Sequence, residues 1–275
     1  MTQLVSSLRR RLSRIPFLLP MAFVTWRTMR EWTPMLAWRN LKARRNAPLA
    51  IPPGALIFSA TGTRNVDWFL RSGKKSADSF RSALNDINRP IESFGNILDL
   101  GCGCGRVLRH WTDVRGPQLF GTDYNPAGPE WVRNNLPGVS LSVNQLIPPL
   151  PYPDKKFDLV YAVSVFTHFP RALQRTWIEE MHRVIEPGGI LMLTLSGEGD
   201  FARLTERERE LFRNGELVEI DPGYAGTNMC SAYHPEAFVR GNWSDLFQIR
   251  KVYTEGALGS PRQDLYVFER LQRRT

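Results

Sequence analysis

Residues 97–105 have the sequence Ile-Leu-Asp-Leu-Gly-Cys-Gly-Cys-Gly, an apolar run that leads into glycine at every second position. A short apolar run bounded by such a loop is typical of a buried β-strand. The glycines let the backbone turn sharply and approach a ligand where any Cβ would intrude. Backbone amides at a helix start attract anionic groups, and we predict such a helix from near Arg106. The stretch therefore predicts a strand, a ligand-binding loop and a helix.

From residue 96 onward, short β-rich runs alternate with helical stretches, a pattern typical of a parallel sheet with crossover helices. We predict helices at residues 76–88 and 171–185 and strands at residues 96–100, 118–122, 139–143, 157–163, 189–195, 247–253 and 264–269. The loop between the last two strands is short enough for an antiparallel hairpin. The expected fold class is α/β, a Rossmann-like doubly wound sheet that is mostly parallel with one antiparallel C-terminal strand.

The charge of the chain is concentrated at one end. The net charge is +9, and the first 50 residues hold ten Lys or Arg side chains and one acidic residue, which accounts for the whole excess. A core without net charge argues against recognition of nucleic acid through its phosphates. A proline-rich joint at residues 47–53 follows the basic segment. We therefore predict a basic and apolar extension with linker at residues 1–53 and an α/β domain at residues 54–275.

The N-terminal extension contains an uncharged apolar run at residues 15–26. This run is too short to span a bilayer, which needs about 20 residues. Trp26, Trp32 and Trp38, with arginines between them, suit a membrane surface rich in anionic lipid. We expect contact with a membrane surface through residues 1–46; the alternatives are an arm that packs on the body and a partly disordered tail.

The cysteine content indicates the compartment. The chain has three cysteines, two of them at C-x-C spacing inside the glycine loop. Metal sites usually need C-x2-C or a histidine partner, and disulfide frameworks need even counts in short secreted chains. We therefore expect no metal site and a reducing, cytoplasmic location, which includes the inner face of a membrane.

Three residues around the glycine loop narrow the ligand. Arg106 stands where the dinucleotide pattern G-x-G-x-x-G requires glycine, which disfavours an NAD-dependent oxidoreductase. Asp99 precedes the loop, and a carboxylate suits an ammonium group better than a phosphate. Asp123 ends the second predicted strand, 22 residues beyond Gly101, where it can accept hydrogen bonds from both hydroxyls of a ribose. An adenosine joined to an amine-bearing group without a pyrophosphate fits these residues, and S-adenosylmethionine meets that description.

Four stretches, residues 97–106, 120–123, 157–169 and 183–195, together resemble the class I S-adenosylmethionine-dependent methyltransferases in order and spacing. The resemblance covers residues 95–197. It implies that S-adenosylmethionine is the cofactor. The residues that it places beside the methionine moiety are Asp99, Gly101, Gly103 and Gly105, with Ser164 beside both the methionine and the acceptor. It places Asp123 at the ribose and Asn144 and Gln145 at the adenine. The family commonly has an acid at the position of Asn144.

The flanking stretches, residues 58–64, 69–73, 233–234 and 263–266, resemble a bacterial subgroup of these enzymes that is associated with glycans. The resemblance implies methyl transfer to an O or N nucleophile of a small-molecule or glycan-type acceptor. Two alternatives stay open. One is an RNA methyltransferase whose basic surface is the N-terminal extension, and the other is a non-catalytic S-adenosylmethionine-binding scaffold at a membrane surface.

His168 and His234 are the candidate catalytic residues. His168 lies on the loop beyond the fourth predicted strand, the ligand side of a doubly wound sheet, where it could act as a general base or cap the next helix. His234 could line the acceptor pocket or support its own loop. Arg64 and Tyr224 could recognise an acidic or sugar acceptor. The mixed-charge run at residues 203–210 predicts a solvated helix with i,i+4 pairs, placed where a lid over the acceptor would lie.

Overall fold

The computed structural model describes residues 33–260 and 263–272, and the chain divides into two compact units, residues 1–69 and 70–275. The helices are α1 (Pro34–Asn46), α2 (Gly54–Thr61), α3 (Val66–Asp86), α4 (Ala127–Asn135), α5 (Arg171–Val184), α6 (Glu206–Arg213) and α7 (Glu236–Trp243). The strands are β1 (Asn96–Leu100), β2 (Gln118–Asp123), β3 (Val139–Val143), β4 (Phe157–Val163), β5 (Ile185–Ser196), β6 (Val218–Ile220), β7 (Ser231–Tyr233), β8 (Phe247–Tyr253) and β9 (Gln263–Arg270). The division of the chain at residue 53 stays a prediction. The apolar run at residues 15–26, with Trp26 and Trp32, lies outside the described residues.

In the first unit, α1 is built from local capping and two longer hydrogen bonds. The side chain of Thr33 accepts a hydrogen bond from the backbone N–H of Leu36, which caps the helix start. The Asn40 side chain donates to the carbonyl of Arg64 over 3.0 Å and accepts from the N–H of Val66 over 2.9 Å. One face of α1 is thereby fixed to the chain that follows it. Within the described part of the chain, no helix is both long and apolar enough to cross a bilayer.

The second unit contains a nine-stranded sheet. Strands β3, β2, β1, β4 and β5 lie side by side in that order and are parallel. Strand β9 lies between β5 and β8 and is antiparallel to both. The predicted Rossmann-like sheet with an antiparallel C-terminal strand is thus confirmed. The short antiparallel pair of β6 and β7 was not predicted, because three residues are too few to show an alternating pattern.

Helix α5 covers the sheet through an apolar face. Trp177, Ile178, Met181 and Val184 recur at helical spacing and are buried in the main core. The ring of Trp177 stacks on Phe169, with the ring centroids 5.2 Å apart. This packing fixes the chain between β4 and α5, where several candidate site residues lie.

The helix predicted after the glycine loop is wrong. The structure has turns there and one short 3-10 helix, Leu108–His110. Ten residues separate Gly105 from the Gly116-Pro117 turn, and they include β-branched Val107 and Thr112, which are poor helix formers. The predicted helix at residues 76–88 is the C-terminal part of α3, which begins earlier.

Gly73 of α3 lies against the backbone that follows the glycine loop, and a Cβ there would clash with the carbonyl oxygen of Arg106. We expect Gly73→Ala to destabilise the protein by about 1–3 kcal/mol through overpacking, seen as a lower melting temperature in circular dichroism. Gly241→Ala in α7 is the matched control. A Cβ at Gly241 meets nothing within 4 Å, so alanine there stabilises by about 0.4–1 kcal/mol. A Gly73→Ala protein as stable as the wild type would contradict this packing.

Candidate active site

The glycine loop leaves the sheet at the end of β1. Gly101, Gly103 and Gly105 have φ values of +73°, +49° and +76°, a region that side chains with a Cβ disfavour. The N–H groups of Gly101 and Cys102 both donate to the carbonyl of Thr122, over 2.8 and 3.0 Å. A Cβ at Gly105 would lie 2.8 Å from the Leu136 side chain. The loop is therefore anchored to β2 and needs glycine for its path.

Asp123 at the end of β2 holds this loop from the other side. Its Oδ2 accepts a hydrogen bond from the N–H of Gly103 over 2.8 Å, and its Oδ1 accepts from the N–H of Asn125 over 2.9 Å. Burial raises the pKa of Asp123, although these two hydrogen bonds oppose the rise. Each carboxylate oxygen keeps a further lone pair, so the side chain can still accept hydrogen bonds from ribose hydroxyls.

Asp99 is a buried carboxyl group beside the glycine loop. Its Oδ2 accepts a hydrogen bond from the Tyr161 hydroxyl over 2.9 Å, and that hydroxyl accepts one from Trp111 Nε1 over 3.1 Å. Burial raises the pKa of Asp99 to about 8, against the opposing hydrogen bond of Tyr161 and charge of Arg106. A cation would stabilise the ionised form of this group, so the site suits an ammonium.

At the end of β3, Asn144 is buried and its side chain is bound on both sides. Its Oδ1 accepts from the Thr122 hydroxyl over 2.9 Å, and its Nδ2 donates to the carbonyl of Gln145 over 2.7 Å. Tyr124 and Ile147, which sequence analysis missed, are exposed apolar side chains near this strand end.

A cavity of about 260 Å³ opens at the ends of β4 and β5. Each residue that lines it carries a polar group: Ser164, Thr167, His168, Ser196, Asp200, Arg203, Ser231, Tyr233, Ser260 and Gln263. Only Ser164 and His168 were predicted as site residues. Thr167 is the neighbour of His168, and the others come from chain segments that are far apart in sequence. Arg203, Tyr233 and Gln263 belong to stretches that the sequence singled out, but not as residues of one cavity.

Ser164 is held in this cavity by a hydrogen-bond network. Its backbone has a φ of +61°, and its N–H donates to the Thr194 hydroxyl over 2.7 Å. Gln263 joins the two residues, since it accepts from the Thr194 hydroxyl and donates to Ser164 Oγ, both over 2.8 Å. Strands β4, β5 and β9 are thereby tied together where Ser164 turns away from the sheet.

His168 ends a short 3-10 helix, Phe166–His168, and its ring lines the cavity. Its Nδ1 lies 2.8 Å from the carbonyl oxygen of Cys230. Because a carbonyl only accepts, the neutral ring carries its proton on Nδ1, so Nε2 is the acceptor nitrogen of the ring. Helix α5 begins after Pro170 without a side-chain cap, so His168 does not cap it. The role of His168 as a general base stays a prediction.

His234 lies in the core. Its side chain is fully buried against Phe238 and Trp243, with Nε2 3.2 Å from Oε1 of Gln174. Burial lowers its pKa to about 3. It does not line the cavity, although its neighbour Tyr233 does.

Three further candidates from the sequence lie on other segments of the chain. Tyr224 is in the short turn Pro222–Tyr224, and Arg64 belongs to the first compact unit. The charged run 203–210 contributes to α6, whose ion pairs link Glu206 with arginines one and two turns away. The expected helix is present from Glu206 onward, whereas the expected i,i+4 spacing is wrong, because these ion pairs join residues three and seven positions apart. A lid function stays a prediction. Arg203 itself lines the cavity, with its Nε 3.2 Å from Asp200 Oδ1.

Comparison with known proteins agrees with this geometry. Residues 98–193 match the family model of the methyltransferase domain. A sterol 24-C-methyltransferase of Gibberella zeae is 27% identical over 166 residues, which cover 54% of this chain and 41% of that protein. A malonyl-[acyl-carrier protein] O-methyltransferase of Enterobacter lignolyticus is 26% identical over 138 residues, which cover 50% of this chain and 51% of that protein. The chain therefore spans about half or less of the length of these relatives.

A crystal structure of an S-adenosylmethionine-dependent methyltransferase from Mesorhizobium loti superposes with a TM-score of 0.51 and 19% identity. The match covers 70% of this chain and 100% of that one, and it concerns the fold. Residues 98–193 thus match the methyltransferase domain, in the fold of the class I S-adenosylmethionine-dependent methyltransferases, and S-adenosylmethionine is the cofactor of that class. The site fits this cofactor, because a buried carboxyl group at Asp99 and the carboxylate of Asp123 lie on either side of the glycine loop.

The contacts of Asp123 lead to a prediction about cofactor affinity. We expect Asp123→Ala to weaken S-adenosylmethionine binding by about 1–3 kcal/mol, the scale of lost charge-assisted hydrogen bonds, as measured by isothermal titration calorimetry. Asp113→Ala, which removes an exposed carboxylate, serves as the control and should leave the affinity unchanged. Unchanged affinity of Asp123→Ala would mean that the ribose is held elsewhere.

The raised pKa of Asp99 leads to a prediction about pH. Below a pH of about 8, Asp99 of the cofactor-free protein carries a proton that binding of an ammonium group must displace. Affinity should therefore rise about tenfold per pH unit toward pH 8, until the α-amino group of the cofactor itself begins to lose its proton near pH 8. Calorimetry in two buffers of different ionisation enthalpy should show proton release at neutral pH. The release should be absent in Asp99→Asn, and its absence in the wild type would refute the role of Asp99.

Proposed function

We propose that this chain transfers the methyl group of S-adenosylmethionine to an O or N nucleophile of a hydrophilic acceptor, of small-molecule or glycan type. The observation that carries this proposal is the polar cavity next to Ser164, into which His168 presents its ring. In the proposed complex, Asp99 faces the ammonium, the glycine loop lies along the methionine, and Asp123 accepts from the ribose. Asn144 and Gln145 lie at the adenine.

The cofactor, when bound, supplies a methyl group on a positively charged sulfur, so the protein needs mainly to align the nucleophile and exclude water. His168 would accept the proton of an acceptor hydroxyl at Nε2 while the new O–C bond forms and the S–C bond breaks. A positioned base of this kind contributes about 10²–10⁴-fold to the rate. Ser164 and Thr167, joined by a hydrogen bond over 2.8 Å, would position the acceptor beside the methyl group.

The chemistry of the cavity favours a hydroxylated acceptor over an apolar one. Its lining offers hydroxyl, amide, carboxylate and guanidinium groups, which an apolar acceptor would leave without partners. Arg203 and Asp200 place a donor group and an acceptor group side by side, an arrangement that suits the hydroxyls of a sugar. The sterol substrate named for one relative would not satisfy these groups.

We also place the enzyme in the cytoplasm. The thiols of Cys102, Cys104 and Cys230 are all buried, and none of the three belongs to a disulfide within the described residues. Burial raises the pKa of Cys102 and Cys104, so both thiols resist ionisation and oxidation. Free thiols of this kind are typical of a reducing compartment.

The test of the proposed function is a methyl-transfer screen with S-adenosylmethionine labelled on the methyl group. The acceptor panel would contain soluble glycans, sugar nucleotides, small alcohols and amines, together with a sterol and RNA as contrasting classes. We expect label in a hydroxylated or amine-bearing water-soluble acceptor. Transfer to the sterol or to RNA alone would overturn the proposed acceptor class, and cofactor binding without transfer to any acceptor would favour the scaffold alternative.

The role proposed for His168 leads to a further prediction. With the acceptor found in the screen, His168→Ala should lower kcat by about 10²–10⁴-fold and leave the affinity for S-adenosylmethionine unchanged. His168→Gln is the matched variant, because its amide can still donate toward Cys230 but cannot take up a proton. Wild-type kcat in His168→Gln would show that the ring positions the loop and does not act as a base.

A further inference from the structure

The two faces of α1 differ in what they contact. Toward its own unit, Asn40 binds the backbone of Arg64 and Val66, and Arg44 donates to the carbonyls of Ile51 and Pro52 over 2.8 and 2.7 Å. One turn apart, Asn40 and Arg44 therefore define the inner face of the helix. The opposite face of α1 points away from these hydrogen-bond partners.

That outer face carries large apolar side chains. Met35, Trp38 and Leu41 recur at every third position and are 63%, 61% and 49% exposed. No residue of α1 is buried. Single exposed apolar residues are common on protein surfaces, but three on successive turns of one helix face mark an interaction site.

The same face is basic. Arg39, Lys42 and Arg45 are exposed, and α1 contains no acidic residue. The Lys42 ammonium lies 5.5 Å from the centroid of the Trp38 ring, so charge and aromatic surface alternate along the helix. The 33 residues before α1 add six arginines and one glutamate in sequence. Any partner of this face must accept both positive charge and apolar side chains.

We infer that the outer face of α1, formed by Met35, Trp38, Leu41, Arg39, Lys42 and Arg45, docks on a bilayer surface that contains anionic lipids. Tryptophan and aliphatic side chains enter the boundary between headgroups and acyl chains, while Lys and Arg extend to the lipid phosphates. RNA would satisfy the basic residues but would offer nothing to Met35 and Leu41. This inference does not depend on the proposed methyl transfer.

The test uses the full-length chain and sedimentation with vesicles. One vesicle type contains phosphatidylcholine mixed with phosphatidylglycerol, and the other contains phosphatidylcholine alone. We expect binding to the mixed vesicles that weakens with added salt, and much weaker binding to the neutral vesicles. Equal binding to both vesicle types, or binding to neither, would overturn the inference.

Two sets of variants separate the apolar and the basic contributions. The apolar variant combines Met35→Ser, Trp38→Ser and Leu41→Ser. It should bind vesicles about tenfold more weakly or worse, because the apolar side chains that enter the bilayer surface are lost. Replacement of Lys42 and Arg45 by Gln should weaken it about fivefold for each charge removed. Leu258→Ser and Arg207→Gln remove an exposed leucine and an exposed arginine from the second unit and serve as matched controls.

Melting temperature and S-adenosylmethionine affinity should be the same in all these variants, which shows that the domain is intact. If the apolar variant binds vesicles as the wild type does, the face is not the docking site. The inference also fails if the basic variant loses RNA binding while vesicle binding persists. A protein that binds vesicles through this face but transfers no methyl group would leave the inference standing and would refute only the proposed function.

Discussion

The cofactor site depends on one carbonyl oxygen, that of Thr122 in β2, which receives the N–H groups of both Gly101 and Cys102. These two hydrogen bonds hold the start of the glycine loop against β2 immediately after β1, and the loop then continues with positive φ at its three glycines. The parallel pairing of Leu100 with Thr122 places the start of the loop beside the end of β2. Asp123, the next residue, then reaches the N–H of Gly103. The loop and the second carboxylate are therefore positioned by the same strand pair.

The two carboxyl groups of the site lie in different environments. Asp123 accepts hydrogen bonds from two backbone N–H groups, which stabilise its charged form. Asp99 is more deeply buried and accepts a hydrogen bond from the neutral hydroxyl of Tyr161, which compensates less of the lost hydration. A carboxyl group in such a position costs stability when ionised, and a bound cation offsets that cost. The difference fits one group that binds hydroxyls and one that binds an ammonium.

The sequence predicted those parts of the structure that local chemistry determines. Strands β1, β3, β4 and β8 have the predicted bounds, because β1 and β4 are mostly apolar runs, whereas apolar and polar residues alternate in β3 and through most of β8. The helix after the glycine loop failed, since the short segment before Gly116 packs Trp111 against Tyr161 instead of completing helical turns. The polar cavity could not be predicted, because Ser164 and Gln263 are 99 residues apart and meet only when β9 inserts beside β5. The sequence around either residue does not show that the two side chains form a hydrogen bond.

The two candidate histidines show the same limit and are also linked to each other. Both precede a proline at the start of a helix, so sequence alone does not separate their roles. In the structure, Gln174 donates through Nε2 to the carbonyls of Phe166 and Phe169, which leaves its Oε1 to accept from His234 Nε2 over 3.2 Å. His234 must then be neutral with its proton on Nε2, and its low pKa maintains the neutral form across the physiological range.

Gln174 bonds to the carbonyls on both sides of the turn that presents His168, so the buried His234 orients an amide that in turn shapes this turn. The carbonyl of Cys230 accepts a hydrogen bond from the Nδ1–H group of His168. Cys230 and His234 flank the short strand β7, which pairs with the end of β5 through Tyr233 and Ser196. The strand thus supports the candidate base twice, once through a backbone carbonyl and once through a buried histidine. The histidine outside the cavity thereby supports the geometry of the histidine that lines it.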